Sequence, residues 1–481
     1  MMQDAGSTGR RPVRGASSSD ERVNSSARIG EQELRQVPEE DELNWAEQLL
    51  NLCATAIASN NLARTKHLMS VLNDLGSLTG DANQRLAAYG LKSLYCRVTC
   101  RKDSAVASYL GPLRLQVRRL GPKKVHRALI KFHELSPWHQ LSHTVSNQTL
   151  LQVFEGHTHL HVIDIGVSQG LQWPWLIDSL VSRDSGPPTL LRITTMKEQR
   201  PHCVEPAAGG EESDPSFEDN LNRLVKFAGL LGLNVELNIL TEPLESVTRQ
   251  QLQLREGEVL AICAQFRLHR IIEDERDSGI ISAPPHTSHH ATSRLRHELS
   301  HRDGFLNFLF QLQPYVLILG ENDIDHLSHD FLTRFKSVMS LWWKFFDSLH
   351  VAFQGQDVDE RQILEDEVGR MMLNNVACEG AVRIERCEPQ ISWARRLQMA
   401  SFEPLNLTAE TLEAVHLLLH KSGAHWGIAV AANCVTLLWK QQATTFCSVW
   451  KPHTSQQHGD ASMLLICSQA QSAPPMFSLP F

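Results

Sequence analysis

The sequence predicts an α/β fold: a mostly parallel sheet with antiparallel C-terminal strands, preceded by a wholly helical region. Three observations predict it. Residues 159–195 read strand, turn, helix, strand. Apolar runs and helical patterns keep alternating after them, as covered parallel sheets require. Three short runs between residues 426 and 450 then follow one another on connections too short for a crossover.

The unit at 159–195 organises the chain. Leu160 to Ile165 is apolar, β-branched and bounded by His159 and Gly166, which reads as a buried strand. Gly166-Val167-Ser168-Gln169-Gly170 permits a tight turn. A helix follows with Pro174 in its first turn, where a missing N–H costs little, and with Trp175, Ile177, Leu180 and Val181 expected on its apolar side. Ser185-Gly186-Pro187-Pro188 ends it, and Leu190 to Thr194 is the next strand.

Further strands are predicted at Val235–Leu240, Val259–Phe266 and Tyr315–Gly320, with helices over 217–231 and 331–349. Trp426–Val430, Val435–Trp439 and Thr445–Trp450 form the antiparallel end. The stretch 275–303 carries His286, His289, His290, His297 and His301 among serines and prolines, and reads as a long loop rather than a zinc site.

Four segments result: a polar tail at 1–40, a helical region at 41–151, the α/β core at 152–452 and a polar tail at 453–481. In the helical region Leu43, Ala46, Leu50, Cys53 and Ile57 share one face of the first helix. Asp81 caps a third helix whose core side is expected to hold Ala87, Leu91, Leu94, Tyr95 and Val98. Leu49, Leu50, Cys53 and Ile57 are candidates for pairing with a partner's helix, against the plainer reading that they pack on the next helix of their own chain.

Composition narrows the function. At 481 residues, 42% hydrophobic and 21% charged, the chain can bury a large core. A net charge of −8 gives no global attraction to nucleic acid, so DNA contact requires a local basic surface. One such run exists: Arg114, Arg118, Arg119, Lys123, Lys124, Arg127 and Lys131 occur between 110 and 131 without an acidic residue. They are the candidate DNA-binding residues. The 10 cysteines lack paired finger-like spacing, and no signal segment or long apolar run is seen, so a reduced compartment and no membrane are expected.

Two enzymatic readings fit the central turn loosely. Gly166-x-Ser168-x-Gly170 matches a nucleophile elbow, with Asp323 or Asp325 and His416, His420 or His425 following in order. Nothing before residue 160 supplies the strands and oxyanion loop such a serine needs. Asp164-x-Gly166-x-Ser168-x-Gly170 also resembles a degraded nucleotide-binding turn, which would suit an S-adenosylmethionine-dependent methyltransferase. Ser168 stands where the middle glycine would be, and the second strand ends without an acid.

At these residues the sequence resembles the plant GRAS transcriptional regulators. Leu160, His161, Val162, Ile163 and Asp164 look like the VHIID motif, continued by Gln172, Trp173 and Pro174. Phe132 to Trp138 resembles the lead-in, Ala264 to His269 the strand opening the PFYRE region, and Trp393, Trp426, Gly427, Trp439 and Trp450 the closing SAW region. The likeness covers about residues 43–452, and its Ser-Pro-Trp segment and C-terminal end look most like the Nodulation Signaling Pathway One branch. It implies a methyltransferase-like Rossmann core under an N-terminal helical cap, with no catalysis and no cofactor. It further implies a nuclear regulator that pairs with other GRAS proteins, binds promoter DNA directly or through a partner, and serves symbiotic signalling and strigolactone biosynthesis.

Overall fold

The computed structural model describes residues 44–99, 122–166, 170–197, 215–271, 300–353 and 358–453. Among the described residues five helices come first: α1 (Trp45–Ala58), α2 (Leu62–Leu75), α3 (Ala82–Thr99), α4 (Pro122–Leu135) and α5 (Pro137–Phe154). The central unit is β1 (His159–Gly166), α6 (Trp173–Val181) and β2 (Leu190–Met196), followed by α7 (Pro215–Leu230), β3 (Val235–Leu240) and β4 (Val259–Gln265). Next come α8 (His301–Gln311), β5 (Val316–Asn322), α9 (Phe331–Ala352) and α10 (Val358–Ala377). The chain closes with α11 (Gln390–Met399), β6 (Phe402–Pro404), α12 (Ala409–Ser422), β7 (Trp426–Ala431), β8 (Cys434–Trp439) and β9 (Gln442–Pro452).

The strands make one sheet in the order β3-β2-β1-β4-β5-β9-β8-β7, with β6 also paired to β9. β1 to β5 are parallel and the remaining pairings antiparallel. The order reverses at β1. Alternating side chains serve both faces, as period two demands: Leu160 and Val162 join a core with α5, α6 and α12, while Ile163 and Ile165 join one with α8 and α11.

The helical cap is not contiguous in sequence. α1, α2, α3 and the buried side of α4 share a core with α9 and α10, from Leu50, Cys53 and Leu86 to Phe346, Val368 and Met372. α5 instead sends Leu141, Val145, Leu150 and Phe154 onto the sheet, so it belongs structurally to the α/β core. Local chemistry sets the starts. Gln84 N donates to Asp81 Oδ1 at 2.8 Å and Asp81 N to Gln84 Oε1 at 2.9 Å, a reciprocal cap for α3. Ser136, Asp330 and Thr408 cap α5, α9 and α12.

Two expected helix faces are rotated. α6 buries Trp173, Leu176, Ile177 and Leu180, a strict i, i+3, i+4, i+7 series from Trp173, and leaves Trp175 48% exposed. α3 buries Leu86, Ala87, Tyr89, Gly90 and Leu94, while Tyr95 and Val98 face outward. Its contact point is a glycine: a Cβ on Gly90 would lie 2.5 Å from Leu50 Cδ1. Close approach there marks the core side with a small residue that a search for large apolar ones overlooks.

Candidate functional site

In open α/β sheets ligands bind beyond the carboxyl ends of the strands, where the strand order reverses. Here that place is the end of β1, where buried polar side chains of the described residues gather. Asp164 is buried, and its Oδ2 accepts from Trp173 Nε1 at 3.0 Å. Burial pushes its carboxyl up to about 6, opposed by the Trp173 donor, the Arg267 charge and the Gly166 N–H. A Cβ on Gly166 would sit 2.7 Å from Asp164 Oδ1, so only glycine leaves the carboxylate its room.

Around it Gln172 Nε2 donates to Asn147 Oδ1 at 2.9 Å, and Asn147 Nδ2 returns a bond to the Gln172 carbonyl at 3.2 Å. Gln265 Nε2 donates to Ser146 Oγ at 2.8 Å, joining the end of β4 to α5. Arg267, just after β4, donates to the Met196 carbonyl and, at 3.2 Å, to the Lys197 carbonyl at the end of β2. Since β1 lies between β4 and β2, the guanidinium spans the switch point. Among the described residues Trp173, Gln172 and Arg267 are engaged with protein groups at this end, and β2 itself ends Thr194-Thr195-Met196 without an acid for the ribose hydroxyls of S-adenosylmethionine. Val167, Ser168 and Gln169 lie outside the described residues.

The hydrolase partners do not assemble among the described residues. Asp323 accepts from Gln390 N at 2.8 Å and Asp325 from Leu327 N at 2.8 Å. His416, His420 and His425 are exposed, and no hydrogen bond joins them to either acid.

His161 makes a different constellation. Its Nε2 lies 2.8 Å from Thr194 Oγ1, and its Nδ1 3.3 Å from Glu258 Oε2. Thr–His–Glu is the connectivity of a catalytic triad, yet His161 and Thr194 are wholly buried. Burial and the Arg192 charge hold the imidazole down at about 4. Arg192 Nη1 binds Glu258 Oε2 at 2.7 Å, so the carboxylate is already paired. The group ties β1 and β2 to the segment entering β4.

Sequence reasoning missed the densest polar cluster. His269 Nδ1 lies 2.7 Å from Glu321 Oε2 at the end of β5, and its Nε2 lies 3.0 Å from Glu385 Oε2. Burial lowers the imidazole's proton affinity, but the two carboxylates more than offset it and carry the pKa to about 9. Glu385 is in turn held at about 2: burial raises it, and Arg270 and His269 outweigh that. Arg302 pairs with Glu388, which Arg396 Nε also binds. Residues 269, 302, 321 and 385 are far apart in sequence; the one signal was the dense charge of Arg383 to Glu388. Among the described residues no group of three His, Cys, Asp or Glu is placed to hold a metal ion.

The candidate partner residues are corrected. Leu49, Leu50 and Cys53 are 2%, 0% and 0% exposed, and Ile57 packs partly buried against the same cap core. Their apolar surface is already covered by helices of their own chain. Of the candidate DNA-binding residues, Arg114, Arg118 and Arg119 lie outside the described residues and Lys123 falls in α4. Lys124 and Arg127 are exposed on α4, Lys131 is half-buried, and Arg127 Nε pairs with Glu360 Oε1 at 2.8 Å.

The tryptophans serve packing. Trp393, Trp439 and Trp450 are buried, and Trp426 meets Trp439 edge to face at 4.7 Å beside Gly427. Trp439 Nε1 donates to Asp347 Oδ2 at 2.7 Å, fastening β8 to the cap helix α9. No helix among the described residues is long and apolar enough to cross a membrane.

Comparison with known proteins agrees with this architecture. The model of the GRAS domain family matches residues 46–451, which include both cap and core. Protein NODULATION SIGNALING PATHWAY 1 of Lotus japonicus is 32% identical over 426 residues, covering 86% of this chain and 72% of that protein. Its namesake of Medicago truncatula is 31% identical, covering 85% and 69%. Scarecrow-like protein 29 of Arabidopsis thaliana is 31% identical, covering 85% and 72%. The crystal structure of SCL7 in Oryza sativa shares the fold, with a TM-score of 0.66 at 22% identity over 84% of this chain and 99% of that one. The chain belongs to the GRAS domain family, whose members are plant transcriptional regulators.

Proposed function

We propose that this chain is a nuclear transcription regulator that pairs with other GRAS proteins and engages promoter DNA, directly or through that partner, without catalysis. The observation that carries the reading is the family match across 46–451, cap and core together. The filled crevice supports it, since a sheet whose switch point holds Asp164, Trp173 and Arg267 offers a scaffold rather than a cofactor site. The relatives' name extends the proposal to nodulation signalling, and the family resemblance adds strigolactone biosynthesis to it.

Surfaces for the two contacts differ. Exposed cations on α4 supply the DNA side. With Leu49, Leu50 and Cys53 buried, the pairing side is drawn from outward apolar residues of α2 and α3. Tyr95, 57% exposed, lines a groove of ≈ 360 Å³ with Met69, Leu72, Ala88 and Leu91, and Leu62 at the start of α2 is 73% exposed.

Titrating the full chain onto promoter DNA at two salt concentrations, alone and with a GRAS partner, tests this reading. Salt-sensitive, sequence-selective retention in either arm is expected. No retention in both arms would end the DNA part of the proposal, and no complex with any GRAS protein would end the pairing part.

A further inference from the structure

We propose that the nucleic-acid surface is not the basic run of α4 alone but a two-helix patch in which α7 contributes Arg223 and Lys226. The inference rests on the DNA part of the reading above and adds residues that the sequence run does not contain. α4 belongs to the cap through Ala128 and Phe132, and α7 to the sheet core through Leu224 and Ala228. The two helices meet where Asn220 Nδ2 donates to His126 Nδ1 at 3.0 Å. Arg223 stands close to the same imidazole, whose pKa is held down first by burial and then by the Arg223 charge.

Helical spacing orients the charges. Lys124, Arg127 and Lys131 are three, four and seven residues apart and share one side of α4, while Arg223 and Lys226 are one turn apart on α7. Lys124, Arg223 and Lys226 are exposed, and none has a carboxylate partner among the described residues. Arg85, Arg192 and Arg302, by contrast, are spent on buried acids. Arg127 is held only by Glu360, in a pair with the arginine 68% exposed, the kind that solvent screens and a phosphate can displace.

Among the described residues of α4 and α7, Glu218 is engaged by Lys197 Nζ at 3.2 Å, which leaves Asp219 on α7 and Glu134 at the far end of α4. Beside Asp219, Arg223 and Lys226 border a depression of ≈ 430 Å³ with Asn222 and Val225. The depression is lined by α7 alone, so a polyanion must run on from it to Lys124 and Arg127 of α4 to touch both core and cap. Phosphates of duplex DNA are the ligand this geometry takes, since cations on two helices match a repeating backbone charge.

The test is fluorescence anisotropy of a labelled promoter duplex with the full chain, with its GRAS partner if required, across a salt series. The variants are R223E/K226E and, as a control with the same charge change on remote exposed helices, K66E/K421E. Each released phosphate contact contributes about 0.9 to the slope of log K against log salt, so R223E/K226E is expected to reduce that slope by about 2 and to weaken binding roughly tenfold. The control is expected to leave the slope unchanged, and equal thermal midpoints exclude misfolding. A wild-type slope retained in R223E/K226E, or an equal loss in both variants, would overturn the two-helix patch while leaving DNA binding intact. A wild-type chain that binds no duplex in either arm would instead remove the underlying DNA reading, and this surface with it. Displacement of the duplex by polyglutamate of equal charge would make the occupant an acidic polypeptide and also overturn it.

Discussion

The indole N–H of Trp173 points at the buried carboxylate of Asp164 across 3.0 Å, tying the first turn of α6 to the end of β1. A charge at this depth is tolerated only with donors around it. Removing the indole donor in Trp173→Phe is expected to destabilise the protein by about 1–3 kcal/mol and to raise the Asp164 pKa above its present value near 6. Asp164→Asn keeps a neutral acceptor for the indole and should cost less than Asp164→Ala. Urea unfolding of the three variants checks this order; an Asn variant as damaged as Ala would contradict it.

Trp439 and Trp450 are each 1% exposed, and each carries a satisfied N–H, to Asp347 and to Ser448. Trp439→Ala or Trp450→Ala should cost roughly 3–5 kcal/mol. Trp439→Ala also removes one partner of Asp347, leaving Lys440 Nζ at 2.7 Å, so it should loosen the cap on the sheet, seen as faster amide exchange in α9. An unchanged denaturation midpoint in either variant would remove it from the core.

Inside the cap, Arg85 Nε meets Glu365 Oε1 at 2.8 Å with both side chains at 0% exposure. Burial pushes the Glu365 carboxyl up to about 7 against the pull of Arg85. Arg85→Met leaves that carboxyl with the longer Arg361 Nε contact at 3.5 Å and should cost about 3–5 kcal/mol. The double variant R85M/E365L, apolar on both sides, should recover most of the loss. Additive losses measured by thermal unfolding would show that the two side chains do not act as a pair.

Two buried histidines set opposite limits on pH. His326 is fully buried beside the positive charges of His269, Arg383 and Arg334, and burial holds its pKa at about 3. Its folded value lies below the unfolded 6.5, so its contribution to stability is present above pH 6.5 and is lost as pH falls towards 3. His269, raised to about 9, behaves in reverse: its contribution is complete below pH 6.5 and is lost as pH rises through 9. Melting temperatures from pH 5 to 9.5 should therefore fall more gently on the acid side in His326→Gln and on the alkaline side in His269→Gln. Parallel profiles for wild type and variants would refute both assignments.

The strands were legible because each is a short apolar run bounded by turn residues, and β1, β2, β4 and β5 bear it out within two residues at either end. Helix faces were less so. On α3 the contact is made by Gly90, and on α6 the series starts at Trp173, so counting large apolar residues kept Ala87, Leu94, Ile177 and Leu180 inside but wrongly added Tyr95, Val98 and Trp175. The second half of the cap was hidden for another reason. α9 and α10 follow β5, and no local pattern reveals that Phe346 and Met372 pack against Leu50. The same distance hid His269 from Glu321 and Glu385, and Arg223 from α4. The Leu49, Leu50 and Cys53 face was read correctly as apolar, but periodicity does not distinguish a partner's helix from one of the chain's own.

The most direct test of the central claim, that this sheet serves as a scaffold with its ligand crevice filled from within, is calorimetric titration of the full chain with S-adenosylmethionine. The filled crevice of Asp164, Trp173, Gln172 and Arg267 predicts no saturable heat. A saturable isotherm that Arg267→Ala or Trp173→Phe alters would contradict it, and would make the carboxyl end of β1 a cofactor site.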